Sequence, residues 1–394
     1  MISALLAALW WAALVLTVAA AAYLLLALAA VASLRPRFGP GWHEPPRVTV
    51  LKPMCGREDG LEQAVESFLS QELTSPVRFV FGFADASDPA LVQCRQVADC
   101  FPDRDVACVV DPTVHGPNPK VSNLVNMAQL GLDEVVILSD SDIVIAPGDL
   151  QRAIDALSAP GVGAVTALHR SRPGIDGHRV RTFGGWFLDY WFFPTAVVHS
   201  RLGPLSVTYG PLTAIRGDVL ERIGGLMALA PHLSDDAMLG ELIRKAGYEI
   251  AFSPDIIETL ANDASLTELF DHELRWSRTV RSLEPIGFFA SVVTHPGPLP
   301  LLLLLRLGMP AVALILLPVL LRWLLVHLVE KRFGKADNLA RPGPIGIWLR
   351  DCYCFAVWAA ACVVRRVGWR GQELAIISGD ILQHPARAGQ ERAP

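Results

Sequence analysis

Hydrophobic and polar positions divide the chain into three parts. Residues 1–34 carry no charged side chain, and Arg35 and Arg37 follow at once. A bilayer core takes about 20 apolar residues as helix, so this run predicts a retained membrane anchor. A cleaved signal peptide would open on basic residues and hold a core of about 7–15 apolar ones. The two arginines predict that the residues after the anchor are cytoplasmic. Apolar sequence returns at 299–329, which holds Arg306 and Arg322 and is broken by Pro310 and Pro318. A further stretch at 345–364 contains Arg350 and Asp351. Either stretch reads as a span or as part of a re-entrant or interfacial pair, which leaves the number of C-terminal spans open.

Between these regions the pattern changes to short β-branched runs separated by helical stretches. Strands are predicted at 48–51, 77–83, 106–110 and 135–138, and helices at 61–71, 89–100 and 121–130. Continuously apolar strands alternating with helices predict an α/β fold with a mostly parallel sheet covered on both faces. The expected organisation is an anchor at 1–34, a domain in water at 40–283, a membrane-associated region at 284–370 and a tail at 371–394.

Composition narrows the function classes. The 394 residues are 52% apolar and 19% charged, against roughly 45–50% and about 25% in soluble domains. The net charge of −5 comes without a basic stripe, which argues against nucleic-acid binding. Charge, Pro and Gly punctuate the middle of the chain, unlike a polytopic carrier. The seven cysteines are scattered and form no metal or disulfide pattern, so reduced thiols are expected. A membrane-tethered enzyme remains.

Ligands of parallel sheets sit outside the carboxyl ends of the strands. The run after the second predicted strand carries Asp85, and the fourth ends in Ser139-Asp140-Ser141-Asp142. Asp140 and Asp142, two residues apart on a segment leaving the sheet, suit a hard divalent cation shared with substrate phosphates. No Gly-rich dinucleotide or Walker loop follows the first strand, where Lys52-Pro53-Met54-Cys55-Gly56-Arg57 stands. A metal-bridged nucleoside diphosphate fits that edge better than hydride transfer or P-loop chemistry. Ser234 or Asp235 reads as a helix N-cap, leaving Asp236 in the first turn either as dipole compensation or as a general base. In His272-Glu273-Leu274-Arg275-Trp276, Arg275 could pair with phosphate and Trp276 could wall a site. The same run also reads as an interfacial helix with an aromatic belt. His169, His178 and His199 lack metal spacing and read as surface or core residues.

The run Val50-Leu51-Lys52-Pro53, then Asp85 with Asp88-Pro89, then Gly116-Pro117-Asn118-Pro119-Lys120 with Asn123-Leu124, resembles the ceramide glucosyltransferase-like family (family 21, GT-A fold). Asp140-Ser141-Asp142, Ser234-Asp235-Asp236 and Arg275-Trp276 continue the resemblance in the same order. Within the family, the runs at 118–124 and 272–279 look most like the bacterial hopanoid-biosynthesis-associated members, which glycosylate bacteriohopanetetrol from UDP-N-acetylglucosamine. The resemblance implies a GT-A nucleotide-diphosphosugar fold and a single inverting displacement at the inner membrane, on the cytoplasmic side. It implies Asp85 on the uridine, Asp140 and Asp142 on Mg²⁺ or Mn²⁺, and Asp236 as base. Lys120 joins the substrate-binding residues, and Arg275 with Trp276 closes over the diphosphate and the lipid acceptor. Where Gln is usual the chain has His272, which becomes an acceptor contact or a structural residue. The implied partners are a UDP-sugar and a hopanoid polyol, or UDP-glucose and ceramide. A processive polysaccharide synthase and a non-catalytic membrane scaffold are the rival readings.

Overall fold

The computed structural model describes residues 2–36, 38–173, 178–334 and 340–364, together with strands at 366–369, 372–376 and 382–383. After helix α1 (Ile2–Ser33) come β1 (Val48–Pro53), α2 (Leu61–Leu69), β2 (Val77–Phe83), α3 (Pro89–Asp99), β3 (Asp105–Val110), α4 (Pro119–Ala128) and β4 (Val135–Ser139). These match the predicted elements to within two residues. α4 begins two residues earlier than predicted because Asn118 caps it, accepting the Val121 N–H, with Pro119 in the first turn. Asp88 and Pro89 open α3 in the same way.

The strands read as unbroken apolar runs because successive side chains enter different cores. Val48, Val50, Phe79, Phe81, Val135 and Ile137 pack beneath α2, α3 and the later helix α5 (Asp149–Ala156). Leu51, Val80, Val136 and Leu138 pack on the opposite face against α4. Burial on both faces of a parallel sheet produces this pattern.

β5 (Ile143–Val144) and α5 lead into β6 (Val162–Pro173), α6 (Arg179–Phe187), a π-helical turn at 188–192 and α7 (Phe193–Leu202). β7 (Leu212–Arg216), α8 (Gly217–Arg222), α9 (Asp235–Lys245) and β8 (Glu249–Ala261) complete the domain. The eight strands are ordered β3-β2-β1-β4-β7-β6-β8-β5. β3, β2, β1 and β4 are mutually parallel, as are β6 and β8, while β7 and β5 run against their neighbours. The reversal at β7 brings its entrance to the carboxyl end of β4, where the Asp140 N–H donates to the Pro211 carbonyl at 3.2 Å.

Amphipathic α10 (Leu266–Leu283) leads to the apolar end of the chain: α11 (Pro285–Ala290), α12 (Leu304–Leu307), α13 (Ala311–Phe333) and α14 (Pro344–Val363). β9 (Arg366–Trp369), β10 (Gln372–Ile376) and β11 (Leu382–Gln383) form a small antiparallel sheet. Among the described residues, α1, α13 and α14 are each long and apolar enough to cross a membrane, and 285–307 is a pair of helices bent by 65°. The apolar run expected at 299–329 is split at Gly308, whose positive φ ends α12. Pro318 sits inside α13.

Arg322, Arg350 and Asp351 face inward, whereas Arg306 is exposed. Arg322 is fully buried, donates to the carbonyls of Tyr190 (2.9 Å) and Thr294 (2.5 Å), and lies over the Trp191 ring. Asp351 accepts from Trp191 Nε1 at 2.6 Å, and Arg350 pairs with Glu273 of α10. Residues 186–198 pack with α1, α13 and α14 in one apolar cluster, where Tyr23 and Thr195 share a hydrogen bond of 2.6 Å. The carbonyls at the end of α1 are capped by guanidinium groups from elsewhere: Arg201 bonds Ser33 and Arg332 bonds Leu34. The segment after α1 is strapped to α5. A Cβ at Gly39 would lie 2.1 Å from the Asp155 carbonyl oxygen, and Trp42 Nε1 donates to the Ile154 carbonyl at 2.9 Å.

Candidate active site

Three chain segments converge at the carboxyl edge of β4. Asn118 fixes the first: it caps α4 and donates from its side chain to the His232 carbonyl at 2.8 Å, tying the entrance of α4 to the entrance of α9. Gly240 fixes the second. A Cβ there would lie 2.5 Å from Val207 Cα, so α9 seats directly on the 205–210 loop, and Thr208 Oγ1 donates to the Asp236 carbonyl at 2.7 Å. The reversed entrance of β7 fixes the third.

At the centre, Lys120 Nζ lies 2.7 Å from Asp140 Oδ1 and 3.0 Å from Asp235 Oδ2. Asp236 Oδ1 accepts from Ser234 Oγ at 2.7 Å and from the Ala237 N–H at 2.8 Å. Its Oδ2 accepts the Gly210 N–H at 3.1 Å. A Cβ at Gly210 would stand 3.2 Å from Asp140 Oδ2, 3.5 Å from Asp236 Oδ2 and 3.7 Å from Lys120 Nζ. Glycine thus keeps open the point where the three charged groups meet. Ser234 is the N-cap residue of α9 and Asp235 its first residue, with Asp236 in the first turn as expected.

Asp142 stands within electrostatic reach of Asp140, Glu58 and Lys52. Burial and the carboxylates of Asp140 and Glu58 push its carboxyl up, with Lys52 opposing them. Lys52 is wholly buried, its ammonium 4.3 Å from the Phe68 ring centre and donating to the Asp140 carbonyl at 2.5 Å. Ser141 Oγ bonds Glu58 at 2.9 Å. The cluster thus gathers Glu58, Asp140, Asp142, Asp235 and Asp236 around the two ammonium groups of Lys52 and Lys120. Among the described residues no three His, Cys, Asp or Glu side chains are arranged to hold a metal by themselves. An excess of hard oxygen donors without a complete cage fits a cation such as Mg²⁺ or Mn²⁺, which takes its remaining ligands from phosphates and water.

Asp236 is raised above the ordinary carboxylate range by burial and then by Asp235, against the Ser234 hydroxyl and Lys120. Lys120 is held above its ordinary value: burial disfavours its charge, but Asp140 and Asp235 outweigh that.

The remaining predicted residues lie on other elements. Asp85 follows the end of β2 and is exposed, and its Oδ1 accepts the Ser87 N–H and hydroxyl, each at 2.8 Å. These bonds hold its carboxyl below the usual range. His272, Arg275 and Trp276 lie on α10. His272 Nδ1 stands 3.3 Å from both Asp263 oxygens, and its ring is 4.2 Å from that of Trp276, which stacks on Phe187.

Some of the site has no counterpart in the predicted set. Asp235 reads in sequence as a cap but forms an ion pair, and Lys52 and Glu58 belong to no predicted site. His169, expected at the surface or in the core, is 7% exposed, packs on Phe192, and has an Nδ1 without a hydrogen-bond partner among the described residues. Burial lowers it to about 4, with Asp140 opposing, so a neutral imidazole borders the acidic cluster.

The pattern of glycosyl transferase family 21 matches residues 10–382. Ceramide glucosyltransferase 1 of Caenorhabditis elegans is 25% identical over 249 residues, covering 61% of this chain and 51% of that protein. Ceramide glucosyltransferase 3 of the same organism is 22% identical over 240 residues, covering 59% and 50%. The chain therefore spans about half the length of these curated relatives. Among solved structures, a mannosyltransferase from Pyrobaculum calidifontis, determined in complex with GDP-Man and Mn²⁺, superposes with a TM-score of 0.55 at 19% identity. The match covers 90% of this chain and 99% of that one, and it shows a shared GT-A fold.

Proposed function

The chain belongs to glycosyl transferase family 21, and from that premise we propose a membrane-bound inverting enzyme that moves one sugar from a UDP-sugar to a lipid hydroxyl. The observation that carries this reading is the meeting of Asp140, Asp236 and Lys120 around Gly210.

Asp236 is the general base. Its Oδ1 is committed to Ser234 and Ala237, while Oδ2 takes the backbone N–H of Gly210 and faces the open point. Its raised affinity for a proton suits it to deprotonate the acceptor hydroxyl as that oxygen attacks the anomeric carbon. Asp140 and Asp142 would hold Mg²⁺ or Mn²⁺, which supplies charge stabilisation at the departing diphosphate. Lys120 presents a second positive charge beside them, and Arg275 serves the diphosphate from α10. Asp85 holds the uridine, and His272 with Trp276 lines the acceptor side.

The donor and acceptor we favour are UDP-N-acetylglucosamine and bacteriohopanetetrol, on the strength of the runs at 118–124 and 272–279. The C. elegans relatives favour a second reading, glucosylation of ceramide from UDP-glucose. We place the enzyme in a bacterial inner membrane with its domain on the cytoplasmic side, where Arg35 joins Arg201 and Arg332 at the end of α1.

Membranes carrying the protein, incubated with each UDP-sugar and each lipid, should yield a product with one added sugar by mass spectrometry. A ladder of additions would point to a polymerase, and no metal-dependent UDP release would point to a scaffold. Asp236→Asn should abolish transfer while UDP-sugar binding persists. Turnover near that of the unmodified enzyme would remove Asp236 as base.

A further inference from the structure

We infer that Lys120 is a resident counter-cation that couples metal binding to donor binding. The inference rests on the proposed function and concerns the order in which that site fills. Asp140 must give a carboxylate oxygen to a metal ion, yet the Lys120 ammonium lies 2.7 Å from Asp140 Oδ1. A divalent cation entering alone meets a carboxylate already neutralised and a positive charge within contact distance. Both effects weaken its binding.

Lys120 has a second anchor. Asp235, on the first turn of α9, holds the same ammonium at 3.0 Å. Asn118 ties the backbone entrances of α4 and α9 together, so this pairing does not depend on Asp140. The ammonium can leave Asp140 and remain charged, paired with Asp235. A nucleoside diphosphate arriving with the cation brings negative charge that Lys120 can face instead. The cluster then exchanges one internal ion pair for two: cation with Asp140, and Lys120 with phosphate. The geometry thus makes the metal and the diphosphate enter as a unit, and Asp235 is the positioning residue that keeps Lys120 at hand during the exchange.

The test is Mn²⁺ binding to the purified protein, read by equilibrium dialysis with and without UDP at equal concentration on both sides, so that Mn²⁺ held by free UDP is subtracted. Wild type should bind Mn²⁺ weakly alone and more tightly with UDP. Lys120→Met should bind nucleotide-free Mn²⁺ about tenfold more tightly or better, the scale on which a charge at this distance alters a carboxylate's affinity for a proton. In that variant UDP should add less than it does in wild type, since the phosphates still ligate the ion but no longer draw Lys120 away from Asp140. Lys120→Arg, which keeps the charge, should behave as wild type. Lys120→Gln reads the same quantity should Lys120→Met not fold. If neutral variants bind nucleotide-free Mn²⁺ no better than wild type, the coupling role is overturned while the proposed function stands. If wild type binds no Mn²⁺ even with UDP, the proposed function fails first.

Discussion

On the proposed function, Asp236 and Asp235 are neighbours in sequence with opposite duties. Asp235 neutralises Lys120, and its charge also raises the carboxyl of Asp236. A base must be ionised to work, so kcat/KM should fall on the acid side as pH drops through the raised value of Asp236. Asp235→Asn removes a negative neighbour, lowers that value and should move the acid limb of the pH profile to lower pH. A limb that stays in place would deny the coupling between them. Sequence singled out Asp140, Asp142 and Asp236, because short acidic runs at a strand exit or a helix entrance carry their own signal, and it brought in Lys120 only through the family resemblance. It did not reach Lys52, Glu58 or His169. A lysine inside an apolar strand and a histidine on β6 acquire meaning only from what the fold sets opposite them.

The first four strands and their helices were legible because each strand feeds two cores, which leaves an uninterrupted apolar run. The reversal of β7 was not, since an antiparallel strand inside a covered sheet has the same composition as a parallel one. That reversal delivers Gly210 to the acidic cluster, so the feature that opens the site was the one hidden. The junction of α4 and α9 depends on Asn118, which caps one helix and bonds the approach to the other. Asn118→Ala should cost about 1 kcal/mol for the cap, measured as a lower denaturation midpoint. It should also raise the KM for the UDP-sugar, because Lys120 stands two residues on. Lost stability with an unchanged KM would show that the tie does not position Lys120.

Across the whole molecule, the long apolar helices α1, α13 and α14 share a packed core with the sheet domain. Residues 186–198 lie within the stretch expected in water, yet their Tyr, Trp and Phe side chains share a core with α1, α13 and α14. Which surface covers them is not legible from composition alone. The charged residues in the C-terminal apolar stretches left the spans open at the sequence level; Arg322 and Asp351 prove to be the polar seam of this joint. Arg322→Ala strips the Tyr190 and Thr294 carbonyls of their buried donor and leaves Asp351 with Arg350 as its remaining neighbouring cation, and should cost about 3–5 kcal/mol, seen as a lower melting temperature in detergent. Arg322→Met with Asp351→Leu should recover much of that loss. A single variant as stable as wild type would show the seam to be dispensable.

On the proposed function, the strap of Gly39 and Trp42 on α5, with the guanidinium caps on α1, bears on how a lipid acceptor is met. A catalytic head on a slack leash could stoop to any hydroxyl near the lipid surface. One bolted in place works at a single height, like the jaw of a caliper. The reach of an acceptor's head group above its hydrocarbon then becomes a selection criterion in its own right, separate from the reactivity of the hydroxyl it carries.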